Sequence, residues 1–247
     1  MIEQDKEKRK FLLELTSDAQ SFIYLGKKEE ALDCYDKILA KYPTEIAAIY
    51  GKGMTYFEFG DYDEAIKYFD QILSIKPDEI DTLYAKGALL NNLRQSEEAL
   101  ELLEKVTEID SDYHIAWLAK GYALLDLERY QDSLESFEKA AAISDPSITY
   151  IGKGHAFRKL AQFEEAKKCY QAVINVDPYD AEGLFGLGMI EFTHNNLKKA
   201  IDLLSKSVIQ DEQNLEAWET LAEAFKLTKD SVREKVAQDK IKELSKD

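Results

Sequence analysis

Three features of the sequence involve residue types that could take part in chemistry. Histidine, a common metal ligand and acid–base group, occurs as His114, His155 and His194. The triplet Gly-Lys-Gly occurs at 51–53 and at 152–154, and a glycine-rich loop with a lysine can bind phosphate. The segment GDYDE at 60–64 carries three carboxylates, which are ligands that Ca²⁺ prefers.

None of these features completes a site. The three histidines are far apart in the chain, and no two have the spacing of metal ligands on one helix face. The Gly-Lys-Gly triplets lack the GxxxxGK[ST] pattern and lie inside predicted helices. The acidic segment lacks the other ligands of a calcium loop and is better explained as a helix start, where carboxylates face the helix dipole. We therefore expect no enzyme activity, no metal site and no cofactor.

The stretch 47–77, AAIYGKGMTYFEFGDYDEAIKYFDQILSIKP, predicts two amphipathic helices. The first runs from about Glu45 to Phe59 and is broken by Gly60 and Asp61. The second runs from about Tyr62 to Ile75 and is stopped by Pro77. Each helix is only about four turns long, so neither can bury its apolar face alone. We expect the two helices to pack together and to need a neighbouring copy of the pair.

Copies of this pair recur along the chain. Small residues return at a spacing of 34, 34, 33 and 34 residues, as Gly53, Gly87, Gly121, Gly154 and Gly188. All four prolines, at 43, 77, 146 and 178, fall at the ends of units. A period of about 34 residues built from two helices resembles the tetratricopeptide repeat family over nearly the whole chain.

The resemblance implies a fold class and a division of the chain. The fold is expected to be all-α, a right-handed superhelical solenoid of antiparallel helix pairs, continuous from residue 1 to 247. The repeats are placed at 12–45, 46–79, 80–113, 114–146, 147–180, 181–214 and 215–247. The last of these is an atypical seventh unit whose final helix caps the solenoid. Residues 1–11 form either a frayed lead-in or extra turns of the first helix.

Small and bulky residues alternate at fixed positions of the repeat. A glycine inside a helix costs about 1 kcal/mol relative to alanine, so its recurrence at position eight predicts a close approach of the paired helices. Glu191 stands where repeat six should have a bulky residue at position eleven, and Glu234 stands where repeat seven should have a small residue at position twenty. One residue is missing between repeats four and five, which predicts a tighter turn near Pro146.

Composition limits the classes of partner and compartment. The 247 residues are 45% hydrophobic, and the net charge of −16 argues against nucleic acids and anionic membrane surfaces. The first ten residues lack the apolar run of a signal peptide, and no apolar stretch reaches 18 residues. Cys34 and Cys169 lie at equivalent positions of different repeats, so a disulfide between them is not expected. We expect a cytoplasmic protein.

The last helix is predicted to begin near Asp230 or Ser231, after a helix capped by Asn214. One apolar stripe is expected on it, which consists of Val232, Val236, Ala237, Ile241 and Leu244. A solenoid needs a polar cap over its last apolar face, and this helix fits that role. The alternative is that the helix docks a second copy of the chain and forms a homodimer.

The family resemblance also implies a binding surface. First helices of tetratricopeptide repeats line a concave groove, with positions two, five, nine, twelve and thirteen pointing into it. In this chain the positions are mainly apolar and aromatic, although 32% of all residues are charged, and a contiguous apolar patch marks an interaction site. The expected groove residues are Tyr50, Met54, Phe57, Tyr84, Asn91, Asn92, Leu118, Tyr122, Leu125, Ile151, His155, Arg158, Lys159, Phe185, Met189 and Phe192.

The function expected from this surface is that of a non-enzymatic scaffold that binds a peptide segment of another protein. One subgroup of the family holds acidic chain ends with Lys and Asn at positions five and nine, and this sequence lacks that pair. Arg158 and Lys159 are the basic pair of the lining and would orient an acidic group of the ligand. The alternative is self-assembly, in which the groove or the terminal helices pair with another copy.

Overall fold

A computed structural model describes residues 2–246, with side chains from Asp5 to Lys246. All regular structure in this part of the chain is helical, in agreement with the expected class. Contacts divide the chain into two compact units, Met1–Tyr113 and His114–Asp247. Each unit is described by itself, and one continuous solenoid through all seven repeats stays a prediction.

The first unit holds three helix pairs, and each helix packs antiparallel to its partner. Its helices are α1 (Ile2–Tyr24), α2 (Lys28–Lys41), α3 (Ile46–Glu58), α4 (Tyr62–Ile75), α5 (Ile80–Asn92) and α6 (Ser96–Ile109). Helix α1 has 23 residues, so the segment before Phe11 extends the first helix, which was one of the two expected alternatives.

The second unit holds four helix pairs. Its helices are α7 (His114–Asp126), α8 (Tyr130–Ile143), α9 (Tyr150–Lys159), α10 (Phe163–Val176), α11 (Ala181–Thr193), α12 (Leu197–Gln210), α13 (Leu215–Leu227) and α14 (Ser231–Leu244). A 3₁₀ turn, Pro146–Thr149, precedes α9, and the Asp145 side chain accepts a hydrogen bond from the Ser147 amide there. The missing residue before repeat five is therefore absorbed by a tighter helical turn, as predicted.

Every turn inside a helix pair contains one residue with left-handed backbone. Glycine supplies it in the first two pairs, where Gly26 has φ 72° and Gly60 has φ 81°. The other five turns use Arg94, Glu128, Ala161, Asn195 and Lys229, with φ between 57° and 62°. A side chain costs roughly 1–2 kcal/mol in this conformation, and backbone hydrogen bonds across each turn, such as that from the Gln95 amide to the Leu90 carbonyl, help to hold it.

The repeating small residue makes room for a bulky side chain of the second helix. A Cβ atom on Gly53 would lie 2.8 Å from the Phe69 ring, and one on Gly154 would lie 2.6 Å from the Tyr170 ring. The close approach expected at position eight is therefore a contact between the glycine backbone of the first helix and an aromatic ring or leucine side chain of the second. Replacing the glycine would push that side chain out of the core.

The same bulky side chain also reaches into the next repeat. Tyr35 lies against Gly51, and a Cβ atom there would stand 2.4 Å from its ring. In the second unit, a Cβ atom on Gly152 would stand 2.2 Å from the Phe137 ring. Each of these rings therefore ties two successive repeats together, which the spacing of position eight alone does not indicate.

First helices of successive pairs lie side by side. In the second unit α9 contacts both α7 and α11, and α11 contacts α13. The second helices of successive pairs contact one another less than the first helices do, among the described residues. The first helices therefore form the closer layer of this unit, and in the first unit α1 lies against α3 in the same way.

Glu191 is accommodated by local pairing. Its side chain is 8% exposed and lies 2.5 Å from Nζ of Lys199, and Nδ2 of Asn196 donates a hydrogen bond of 2.8 Å to it. The bond from Lys199 holds the pKa of the Glu191 carboxyl below its usual range. A buried carboxylate is tolerated here because both of its oxygens are satisfied.

The predicted apolar stripe of the last helix is wrong at two positions. Val232 is 73% exposed and Val236 is 60% exposed, whereas Ala237 is fully buried. Ala237 packs into a cluster that includes Leu221 and Phe225 of α13. The helix is rotated so that Ala237 faces the core, because its small side chain lets α14 approach α13 closely. The predicted cap at Asn214 is confirmed by its bond to the Ala217 amide, 2.9 Å long.

Candidate functional site

In the first unit, three expected groove residues lie on the outer edge of one core cluster. Tyr50, Met54 and Phe57 are half-buried and pack against a cluster that contains Phe69 and Leu89. The Tyr50 and Phe69 rings stand 5.8 Å apart between centroids. These side chains are held in place from below, while part of each remains on the surface. Such fixed aromatic surface is suited to contact with a partner.

Tyr84 belongs to a second group in the same unit, which sequence reasoning identified only in part. Its ring lies 5.5 Å from the ring of Tyr113, and the Tyr113 hydroxyl donates a hydrogen bond of 3.0 Å to Oδ1 of Asp81. Burial, followed by this bond, raises the pKa of Tyr113 far above its usual range. Tyr113 is therefore a neutral donor at any physiological pH. The sequence signal that could have found it is an aromatic residue at the last position of repeat three.

The two expected asparagines have different surroundings. Asn91 is half-buried, and its Oδ1 accepts a hydrogen bond of 3.3 Å from Oγ of Ser96. Asn92 is exposed. Neighbouring residues of a helix point in directions about 100° apart, so the pair cannot share one environment. Asn92 is the one with its amide presented to solvent.

In the second unit, α7 contributes Leu118, Tyr122 and Leu125, all half-buried. The Tyr122 ring packs edge-on against the Phe137 ring, with centroids 5.2 Å apart. Burial raises the pKa of the Tyr122 phenol. Tyr122 therefore resembles Tyr50 of the first unit, because each ring packs against a buried phenylalanine of the second helix of its own pair, Phe137 and Phe69 respectively.

His155 joins three helices of the second unit. Its Nε2 lies 3.1 Å from Oε2 of Glu182, and its Nδ1 lies 3.1 Å from the Tyr170 hydroxyl. The bond from His155 lowers the pKa of Glu182 below its usual range. Half-buried Ile151 packs beside this group, against the cluster that contains Tyr170. Both ring nitrogens of His155 are thus engaged within the fold.

The two residues of the predicted basic pair, Arg158 and Lys159, differ in their exposure to solvent. The Arg158 side chain is only 12% exposed, and its Nη1 lies 3.8 Å from Oε1 of Glu216. Its guanidinium also stands 5.7 Å from the centroid of the Phe185 ring. Its Nε is buried without a hydrogen-bond partner among the described residues. Lys159 is exposed, so it is the member of the pair that a ligand reaches first.

The remaining expected groove residues contribute unequally to the surface. Phe185 is 3% exposed and belongs to the core cluster with Leu204 and Leu221. Met189 and Phe192 are half-buried against the same cluster. Thr220 donates a hydrogen bond of 3.3 Å to the Met189 sulfur. Phe185 therefore stabilises the floor of this surface, and Met189 and Phe192 form its exposed edge.

The described residues contain neither a candidate metal site nor a candidate membrane span. No group of three or more His, Cys, Asp or Glu side chains there could hold a metal ion. None of the described helices combines the length and the apolar character that crossing a membrane requires. Cys34 and Cys169 are free thiols, as expected.

Comparison with known families finds a repeated match. The family profile described as tetratricopeptide repeat matches residues 18–80 and 151–214, which together are just over half of the chain. A second profile, described as anaphase-promoting complex, cyclosome, subunit 3, matches residues 58–140. The RNA polymerase-associated protein CTR9 of Caenorhabditis elegans is 32% identical over 60 residues. That match covers 23% of this chain and 5% of CTR9, so the chain spans a small part of that relative.

Solved structures share the fold at low identity. A tetratricopeptide repeat protein from Parabacteroides merdae ATCC 43184 is 17% identical with a TM-score of 0.79, and the match covers 95% of this chain and 93% of that one. A chain of the APC/C hetero-tetramer Cut9–Hcn1 is 18% identical with a TM-score of 0.69, over 89% of this chain and 43% of that one. These likenesses confirm the expected fold class, an all-α solenoid of helix pairs.

Proposed function

Because the chain belongs to the tetratricopeptide repeat family, we propose that it is a non-enzymatic scaffold that binds a segment of another protein along its first helices. The observation that carries this proposal is that the first helices of each unit present half-buried aromatic residues, such as Tyr50 and Tyr84 in the first unit and Tyr122 in the second. Tyr50 and Tyr122 pack against the buried rings of Phe69 and Phe137, Tyr84 packs against Tyr113, and each keeps part of its surface exposed. The proposed location is the cytoplasm.

The physical argument rests on how aromatic side chains contribute to binding. A tyrosine held in one rotamer presents a large apolar surface, and little conformational entropy is lost when a partner covers it. Residues of this kind dominate binding when they lie in desolvated pockets, with losses of roughly 2 kcal/mol or more on truncation. The matched chain of the Cut9–Hcn1 structure is part of a hetero-tetramer, and this supports a protein partner here.

The test is affinity capture from the source cell with matched variants of the whole chain. Tyr84→Ala combined with Tyr122→Ala removes one exposed aromatic surface from each unit. The control, Tyr24→Ala combined with Tyr179→Ala, also removes one tyrosine from each unit, at sites that are 91% and 68% exposed and outside the expected groove. Thermal melting confirms that both variants are folded.

We expect one or more proteins to be retained by the parent and the control and lost from the groove variant. The captured protein is then purified, and its affinity for each variant is measured directly. Retention by a folded groove variant with unchanged affinity would move the binding surface off the first helices.

Self-assembly is a second candidate, and exposure on the last helix favours it. Val232 is 73% exposed and Val236 is 60% exposed, one turn apart on α14, so they form a small apolar edge. Sedimentation equilibrium of the parent and of Val232→Ser combined with Val236→Ser tests this reading. A parent dimer that becomes a monomer in the double variant would support self-assembly, and a monomeric parent would exclude it.

A further inference from the structure

Four residues of the first unit combine a carboxylate with three aromatic rings, and they are called the Asp81 corner here. They are Tyr50, Asp81, Tyr84 and Tyr113. The rings of Tyr84 and Tyr113 stand 5.5 Å apart at 51° to each other, so two ring faces converge at an angle. Tyr113 also holds Oδ1 of Asp81 through a hydrogen bond of 3.0 Å.

Electrostatic interactions place Tyr50 in the same group. Burial raises the pKa of Tyr50, and electrostatic interaction with Asp81 and Tyr84 adds to that increase. The pKa of Tyr113 is raised by burial and by the bond to Asp81, with smaller electrostatic contributions from Tyr84 and Tyr50. These phenols therefore stay neutral.

The corner is partly open. The three tyrosines are half-buried and Asp81 is exposed. Among the described side chains, Tyr113 is the one that donates a hydrogen bond to the Asp81 carboxylate. Carboxylate oxygens accept several hydrogen bonds, so Asp81 can receive a further donor from outside.

Lysines of the same unit stand over other rings. Lys8 lies 4.8 Å from the centroid of Tyr42, Lys28 lies 4.9 Å from that of Tyr56, and Lys52 lies 4.9 Å from that of Tyr68. Within the part of the unit that the structure describes, no Lys or Arg stands over the rings of the Asp81 corner. Three tyrosines of the unit thus have a lysine over the ring, whereas the rings beside the Asp81 carboxylate have none among the described residues.

We propose that the Asp81 corner binds a cationic side chain, arginine or lysine, of the protein segment held by the first helices. The ring faces attract the cation and the Asp81 carboxylate pairs with it, an arrangement known from aromatic sites for ammonium and guanidinium groups. The net charge of −16 favours the approach of a basic segment. This inference rests on the proposed function and adds the chemistry of the partner.

The experiment uses two peptides that differ only in charge. One is acetyl-Gly-Arg-Gly-Arg-Gly-amide, and the other has citrulline, a neutral isostere, in place of each arginine. The whole chain is labelled with ¹³C on the tyrosine rings, and the signals of Tyr50, Tyr84 and Tyr113 are assigned by single Tyr→Phe substitutions. Titration of each peptide at low salt gives both the location of binding and its affinity.

We expect the arginine peptide, and not the citrulline peptide, to shift the signals of these three tyrosines. Asp81→Asn should weaken that binding roughly tenfold. The control Asp112→Asn makes the same change of net charge at an exposed position in the next connector and should leave the affinity within about twofold. Tyr84→Phe keeps the ring and should bind like the parent, while Tyr84→Leu should bind more weakly.

Three results would overturn the inference. Equal weakening by Asp81→Asn and Asp112→Asn would show attraction by the net charge alone. Equal shifts by the arginine and citrulline peptides would reject a cation site and leave the proposed groove standing. If neither peptide moved the tyrosine signals, the cation site would be rejected, and the proposed function would be judged by the capture experiment.

Discussion

A Cβ atom on Gly121 would lie 2.4 Å from Cε1 of Phe137, closer than two non-bonded carbon atoms can approach. Gly121 is on α7 and Phe137 is on α8, so this contact sets the distance between the two helices of the pair. Both residues are buried, and Phe137 is 0% exposed. Any side chain at position 121 must displace the ring that fills the core.

Overpacking this contact should destabilise the second unit. Gly121→Leu is expected to lower the free energy of unfolding by at least about 1–3 kcal/mol, because the Phe137 ring has no other place in the core. Gly121→Ala should also destabilise, although alanine is better than glycine in an open helix by about 1 kcal/mol. Urea unfolding followed by circular dichroism measures both changes.

The control for this prediction shortens the opposing side chain, Phe137, so that position 121 has more space. In a Phe137→Leu background, Gly121→Ala should cost less than it does alone, because at the equivalent place in the first unit a Cβ atom on Gly87 would lie 3.1 Å from Leu103 instead of 2.4 Å from a ring. A double-mutant cycle gives the coupling between the two positions. A coupling of zero would show that these side chains do not compete for the same space.

The buried carboxylate of Glu191 should be replaceable by an apolar residue. Other repeats have leucine at this position, as Leu90 and Leu124, and both are buried. Glu191→Leu is expected to leave stability at pH 7 unchanged or increased, because well-packed apolar residues often replace a buried ion pair without loss. Lys199→Met should instead cost about 1–2 kcal/mol, since it leaves the carboxylate with Asn196 alone.

The same residue should make stability depend on pH. Pairing with Lys199 lowers the folded-state pKa of Glu191 below its ordinary value of 4.5. Its contribution is therefore complete above the unfolded pKa and is lost as the pH falls through the lower folded pKa. As the pH falls below about 5, the free energy of unfolding should decrease more in the parent than in Glu191→Leu. Urea unfolding at each pH measures this difference. Parallel pH profiles would contradict the pairing.

Removal of the last helix should expose the core of the second unit. Deleting residues 231–247 uncovers Leu221 and Phe225, which are 1% and 5% exposed in the whole chain. We expect a lower melting temperature together with aggregation or a new oligomer, detected by light scattering after size-exclusion chromatography. Lys235→Ala serves as the control, because this exposed residue of the same helix should change the melting temperature little. A monomeric truncated chain of equal stability would show that α14 is no cap.

The two thiols should react slowly in the folded chain. Burial raises the pKa of Cys34 and of Cys169 above the ordinary value of 9.0, and the reactive species is the thiolate. Cys34 is 4% exposed and Cys169 is half-buried, so Cys34 should be the slower. Reaction with Ellman's reagent at pH 8, with and without urea, measures both rates on single Cys→Ser variants. A Cys34 rate unaffected by urea would contradict its burial.

Much of the local structure follows from short-range rules, and for that reason the sequence predicts it. The period of 34 residues, the helix Tyr62–Ile75 and the cap at Asn214 depend on residues within a few turns of one another. Position eight was identified as a site of close approach, although its partner was not. The partner is sixteen residues away on the second helix of the pair. A bulky residue recurs there in the sequence, but only the packing shows that its side chain lies on the glycine.

The rest depended on how the helices pack. Within the predicted stripe of α14, Ala237 is buried but Val232 and Val236 are exposed, because packing against α13 decides which part of the stripe is covered. Arg158 was predicted to meet a ligand, but a glutamate two helix pairs further along the chain, Glu216, lies beside it. Tyr113 was not predicted as a site residue, because only the packing of its connector against α5 brings its hydroxyl to Asp81. Contacts between residues distant in sequence are a property of the assembled core, so they become visible only in the tertiary structure.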